Sequence, residues 1–88
     1  MRITAAQRAT LRAIAREQDR YPARSHAPIR YGRPTDGGTP RATWPTLLGL
    51  VRAGAIERLA TPELLSDPTG ERVRVTAAGR AALAEVTA

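Results

Sequence analysis

Residues 43–59, TWPTLLGLVRAGAIERL, decide how the chain is read. Leu47, Leu50 and Val51 repeat at helical spacing, Gly54 stops the run, and Ile56 and Leu59 resume beyond it. Thr43 stands where an N-cap belongs, and Gly54 stands at C′. Pro45 falls in the first turn, where its missing N–H does no harm. The spacing predicts a helix over 43–53. At about 100° per residue, Trp44 falls on the side of Leu47, Leu48 and Val51 and is read as a core residue. The opposite side presents Pro45, Thr46, Gly49, Arg52 and Ala53, of which only Thr46 and Arg52 hydrogen-bond through their side chains.

Downstream, Ala55–Ala60 and Arg72–Thr76 read as strands, the second alternating Arg72, Val73, Arg74, Val75. Asp67-Pro68-Thr69-Gly70 between them is a turn signal. Thr76 caps a last helix over 77–87, whose inward stripe is Gly79, Ala82, Leu83 and Val86. Upstream, residues 4–18 form the clearest helix. Thr4 and Gln7 fit a capping box, and Leu11, Ile14, Ala15 and Gln18 define its buried stripe. Arg8, Arg12 and Arg16 line up on another face, either solvated or turned to phosphates.

Residues 19–42 differ in kind. They carry four Pro, three Gly, five Arg and one aliphatic residue, Ile29. Pro22, Pro28 and Pro34 recur too closely for a regular helix to run through them, so the segment reads as a Pro/Arg/Gly-rich basic loop with a short extended piece at Ile29–Tyr31. A loop of this length is functional or disordered more often than idle.

The composition bounds the chain to one domain with a modest core. Of 88 residues, sixteen are Leu, Ile or Val, and none is Phe. The absence of Cys removes disulfides, thiol chemistry and cysteine-based zinc sites. No apolar run is long enough to span a membrane, and MRITAAQRATL lacks a signal peptide's apolar core, so a cytoplasmic protein is expected. All fourteen basic residues are Arg, which suits bidentate phosphate binding and is also what a GC-rich genome would produce. Residues 1–41 hold nine Arg against Glu17, Asp19 and Asp36, whereas residues 42–88 hold five Arg against five acids. The entire net charge of +6 therefore lies in the front half. Such asymmetry points to an anionic partner, nucleic acid first.

Helix, loop, helix, two-stranded hairpin, helix resembles the ground plan of a winged helix-turn-helix domain. Leu50-x-x-x-Gly54-x-Ile56 resembles the exit from the recognition helix in winged-helix transcription regulators. Val73-Arg74-Val75-Thr76-Ala77-Ala78-Gly79-Arg80-Ala81-Ala82-Leu83 resembles the segment after the wing in the MarR and PadR families. The resemblance implies a small α+β winged-helix domain over 1–88, with a recognition helix at 43–53 and a two-stranded wing. Where those families carry a second helix, this chain has the 19–42 loop. Either a very short helix lies near Arg24–Ala27 or the helix-turn-helix is degenerate. The long helices through which those families dimerise are missing, so the oligomeric state, dimer included, is not implied.

From the resemblance, the function expected is binding of double-stranded DNA, chiefly through phosphates, by a small bacterial transcriptional regulator or an accessory factor of a phage or mobile element. The implied contacts are Arg24, Arg30, Arg33 and Arg41 of the loop, with Tyr31 between them. Thr43, Thr46 and Arg52 of the helix join them, as do Arg72 and Arg74 of the wing. The alternative is a winged-helix module that binds an acidic protein partner through Leu64, Leu65 and the Pro45/Gly49 face. No enzyme is expected, because no nucleophile–base pair is apparent. No cofactor or metal is expected either. His26 is a lone His, Glu57, Glu63, Asp67 and Glu71 match no calcium loop, and Gly32–Gly38 lacks a phosphate-loop pattern.

Overall fold

The computed structural model describes residues 2–34, 38–59 and 70–85. Among them are three helices, α1 (Ala5–Arg20), α2 (Trp44–Arg52) and α3 (Ala77–Ala84). Four strands accompany them: β1 (Ala27–Tyr31), β2 (Arg41–Ala42), β3 (Ile56–Arg58) and β4 (Gly70–Val75). The strands make one mixed sheet in the order β2-β1-β4-β3. The β1–β2 pairing is parallel, while β4 runs antiparallel to both β1 and β3. The fold is a small α+β arrangement.

α1 starts where its capping box predicts. Gln7 N–H donates to Thr4 Oγ1 at 3.1 Å, and Thr4 N–H donates to Gln7 Oε1 at 2.8 Å. The helix runs two residues past the expected end, to Arg20. Leu11, Ile14 and Ala15 are buried as the stripe requires. Gln18, at the end of that stripe, accepts from Val75 N–H at 2.9 Å and ties α1 to β4. Arg8 and Arg80 tie α1 to α3, through the Ala82 carbonyl at 2.9 Å and the Asp19 carboxylate at 2.8 and 3.0 Å.

The 19–42 segment is not a plain loop. It contributes both β1 and β2 to the sheet, and no helix occupies residues 24–27. Pro28 sits inside β1 without breaking it, and the hydrogen bonds show why. Arg30 N–H donates to the Pro40 carbonyl at 2.9 Å and so faces β2. Two residues earlier on the same edge, Pro28 faces the same way, but β2 pairs only with Arg30 and Tyr31. The missing N–H therefore falls beyond the end of the ladder, a position that sheets tolerate.

α2 begins after Thr43 and ends at Arg52, with Gly54 at φ +75°, a conformation that favours glycine. Thr43 occupies the N-cap position without capping the backbone; its Oγ1 lies 3.2 Å from Thr46 Oγ1. The strands expected over 55–60 and 72–76 are β3 and β4, which pair antiparallel within the larger four-stranded sheet. α3 ends at Ala84, so the expected reach to residue 87 is shortened, and Val86 lies outside the described residues. Thr76 caps α3 by accepting from Gly79 N–H at 3.0 Å, and its hydroxyl donates to the Gly54 carbonyl at 2.5 Å.

The largest fully buried side chains are Leu11, Ile14, Ile29, Leu47, Leu50 and Val73. Each stabilises the fold by roughly 1.5–3 kcal/mol. They come from α1, α2, β1 and β4, so the helices cover one face of the sheet.

Candidate nucleic-acid interface

The period of two along a strand places alternate side chains on opposite faces. On β4, Val73 and Val75 are buried while Arg72 and Arg74 are exposed; on β1, Ala27 and Ile29 are buried while Arg30 is exposed. Register then assembles the uncovered face. Arg30 pairs with Arg41 across β1–β2, and both are exposed. Pro28 pairs with Arg72 and Arg30 with Gly70 across β1–β4. Arg72 is thus diagonal to Arg30, at a backbone separation of roughly 7–8 Å. Arg74 pairs with Glu57 of β3 in register and through an ion pair, with both side chains about half exposed. One step before the Ala27–Val73 pair stands His26, half-buried, with Ser25 Oγ 2.9 Å from its Nδ1.

Four of the expected arginines, Arg30, Arg41, Arg72 and Arg74, are therefore brought together on one open sheet face. Among the described residues, Glu57 is the only acid on that face and Arg74 is its partner. Arg30, Arg41 and Arg72 form no ion pair among the described residues. Arg33 is exposed just past the end of β1. Arg24 lies apart: its guanidinium sits 4.5 Å from the centre of the Tyr21 ring, beside the end of α1. Arg52 is exposed on α2, while Thr43 and Thr46 bond to each other. Leu64 and Leu65 lie outside the described residues.

α2 is turned differently from the expectation. Gly49 lies against the amide end of the Gln7 side chain of α1, so the expected Pro45/Gly49 face is open at Pro45 and partly covered at Gly49. Leu47 and Leu50 take the core side of the helix and Trp44 is 42% exposed, so it is not a core residue. Its ring meets Tyr31 edge-to-face at 6.0 Å and 87°, and the Arg58 guanidinium lies 4.9 Å from its centre.

Tyr31, too, is not among the face arginines. It stands on the opposite side of β1, and its hydroxyl donates to Glu71 Oε2 at 2.5 Å. Glu71 also accepts from Arg58 at 2.7 and 3.0 Å, and its side chain is only 6% exposed. This charge-assisted fork raises the Arg58 pKa above its ordinary value. Burial first, then the Glu71 hydrogen bond, pushes the Tyr31 hydroxyl up. Arg58 and Glu71 were not anticipated as a pair. The signal was present, since Glu71 shares the inward parity of Val73 and Val75, and a carboxylate on a buried face requires a cation.

No protein-family model, curated protein or solved structure matches the chain. Its chemistry must be read from the geometry. No group of three or more His, Cys, Asp or Glu able to hold a metal occurs among the described residues. No helix among them is long and apolar enough to cross a membrane. Strand register puts Arg30, Arg41, Arg72 and Arg74 on one side of the sheet, and guanidinium groups pair with oxyanions.

Proposed function

We propose that the chain is a small DNA-binding protein of winged-helix type that grips duplex DNA chiefly through phosphates, acting as a transcriptional regulator or accessory factor. The observation that carries this reading is the juxtaposition of Arg30, Arg41 and Arg72 on the uncovered sheet face, with no carboxylate partner among the described residues. The order helix, two strands, helix, antiparallel strand pair, helix supports the winged-helix assignment. β1 and β2 stand in place of the second helix.

Two features favour backbone contact over base readout. The open face carries no Phe, Tyr or Trp among the described residues, and single-strand binders use such platforms for stacking bases. α2 presents Trp44, Pro45, Leu48 and Arg52 outward, with no Asn or Gln to grip adenine. Affinity then comes from counterion release.

The test is titration of a labelled duplex of scrambled sequence at about 50 and about 200 mM salt. Three neutralised phosphates give a log–log slope of about −2.7, an affinity loss of about fortyfold across that range. Absence of binding at the lower salt, or a slope near zero, sinks the proposal.

A further inference from the structure

The outward side of α2 takes no part in the arginine face. Trp44, Leu48 and Arg52 recur at four-residue steps and so form one ridge, the kind that packs into the groove of another helix. Pro45 stands beside it, exposed, and Leu48 is half-buried.

The Trp44 ring is held in place by a closed circuit of contacts. Trp44 meets Tyr31 edge-to-face, Tyr31 donates to Glu71, Glu71 grips Arg58 through both oxygens, and Arg58 returns over the Trp44 ring. An exposed aromatic with its position fixed in advance loses little freedom when covered, which is how interface anchors behave. Helix packing does not require this exposure, because Leu47 and Leu50 already fill the core side.

The surroundings select the occupant. Arg52 ends the ridge, exposed and without an ion pair among the described residues, and Arg58, already held by Glu71, lies over the Trp44 ring, while no acid occurs between residues 38 and 56. A second copy of the chain, docked isologously, would bring only the same acid-free ridge and so no carboxylate to Arg52. A partner carrying carboxylates around apolar anchors would satisfy both the charge and the ring.

We propose that the Trp44–Leu48–Arg52 ridge of α2 docks an acidic amphipathic helix of a protein partner. This surface is separate from the sheet face that the DNA reading uses, so each stands without the other.

Trp44 is the only Trp in the chain and reports on its own surface. The probes are two synthetic helical peptides of equal length with identical Leu anchors at i, i+3, i+4 and i+7, one flanked by Glu and the other by Lys. The Glu peptide should shift Trp44 emission to the blue and bind at least about tenfold more tightly than the Lys peptide. R52E, at an exposed position, should reverse that preference, and L48D should abolish the shift with the circular dichroism spectrum unchanged. Equal response to both peptides, no response to the Glu peptide, or a preference that R52E leaves intact overturns the proposal. An emission shift driven by duplex DNA in place of the Glu peptide also overturns it, because the ridge would then belong to the DNA interface.

Discussion

Arg30 and Arg41 stand side by side across the parallel β1–β2 pairing, both exposed, with no carboxylate bonded to either among the described residues. Two like charges directly opposite each other destabilise a sheet. Under the proposed DNA reading, a phosphate seated between the two guanidinium groups would relieve that repulsion.

Arg41→Glu should therefore move stability and binding in opposite directions. The cross-strand pair becomes attractive, and stability should rise by up to about 1 kcal/mol. Duplex affinity should fall, and the salt slope should lose about one unit of magnitude. Urea unfolding and salt-dependent titration of the same variant check both signs. A variant that loses stability and keeps its affinity contradicts the account.

Glu71→Gln replaces one acceptor oxygen of the Arg58 fork with an amide donor. Donor then faces donor in a nearly closed site, and stability should fall by about 1–3 kcal/mol. Because Arg58 is 39% exposed, water relieves part of that loss and the lower half of the range is expected. The Tyr31 hydroxyl should titrate closer to its ordinary range, since one of the causes holding it up is removed. Chemical denaturation and ultraviolet titration of the phenol measure the two effects.

Gly79→Ala separates local preference from packing. Alanine is favoured over glycine in a helix by about 1 kcal/mol, so α3 alone predicts a more stable variant. In the folded chain a Cβ at Gly79 would run into the Ala55 carbonyl and crowd Val75 Cγ1. The helix must shift off the sheet, and a net loss of about 1–3 kcal/mol is expected. A raised melting temperature would show that α3 does not pack as described.

His26 should couple the molecule to pH. Burial first, then Arg74, holds its imidazole below the ordinary range, with Glu57 acting in the opposite direction and Arg72 adding to the effect. The unfolded state therefore binds a proton before the folded state does. Stability is complete above the ordinary imidazole pKa of about 6.5. It declines as pH falls from there to the folded value, below which the loss levels off. A phosphate on the same face would favour the charged ring, so duplex binding should take up a proton and strengthen on acidification. H26Q should flatten both profiles, as followed by urea midpoints and duplex affinity between about pH 5 and pH 8.

Local chemistry was legible where neighbours in sequence determine it. The Thr4/Gln7 capping box, the Leu11–Ile14–Ala15 stripe, the Gly54 stop and the Thr76 cap all appear where the residue types place them. These features depend on hydrogen bonds and periodicities closed within a turn or two of chain. The alternation of Arg72 to Val75 likewise announced β4. It also held the inward parity of Glu71, a signal that needed only one more step along the strand.

What only the tertiary structure decided lies between segments distant in sequence. Only the Ile29–Tyr31 part of β1 was legible, because Pro28 read as a breaker; its missing N–H matters only if a neighbour is present to receive it, and β2 ends before that point. Trp44 reads as core on a helical wheel, but a wheel says which residues share a side, not which side is covered. Packing settled that, by burying Leu47 and Leu50 and leaving the ring exposed on the flank. The arginine array has the same origin. Residues 30, 41, 72 and 74 become neighbours through strand register alone, and register is a property of the assembled sheet.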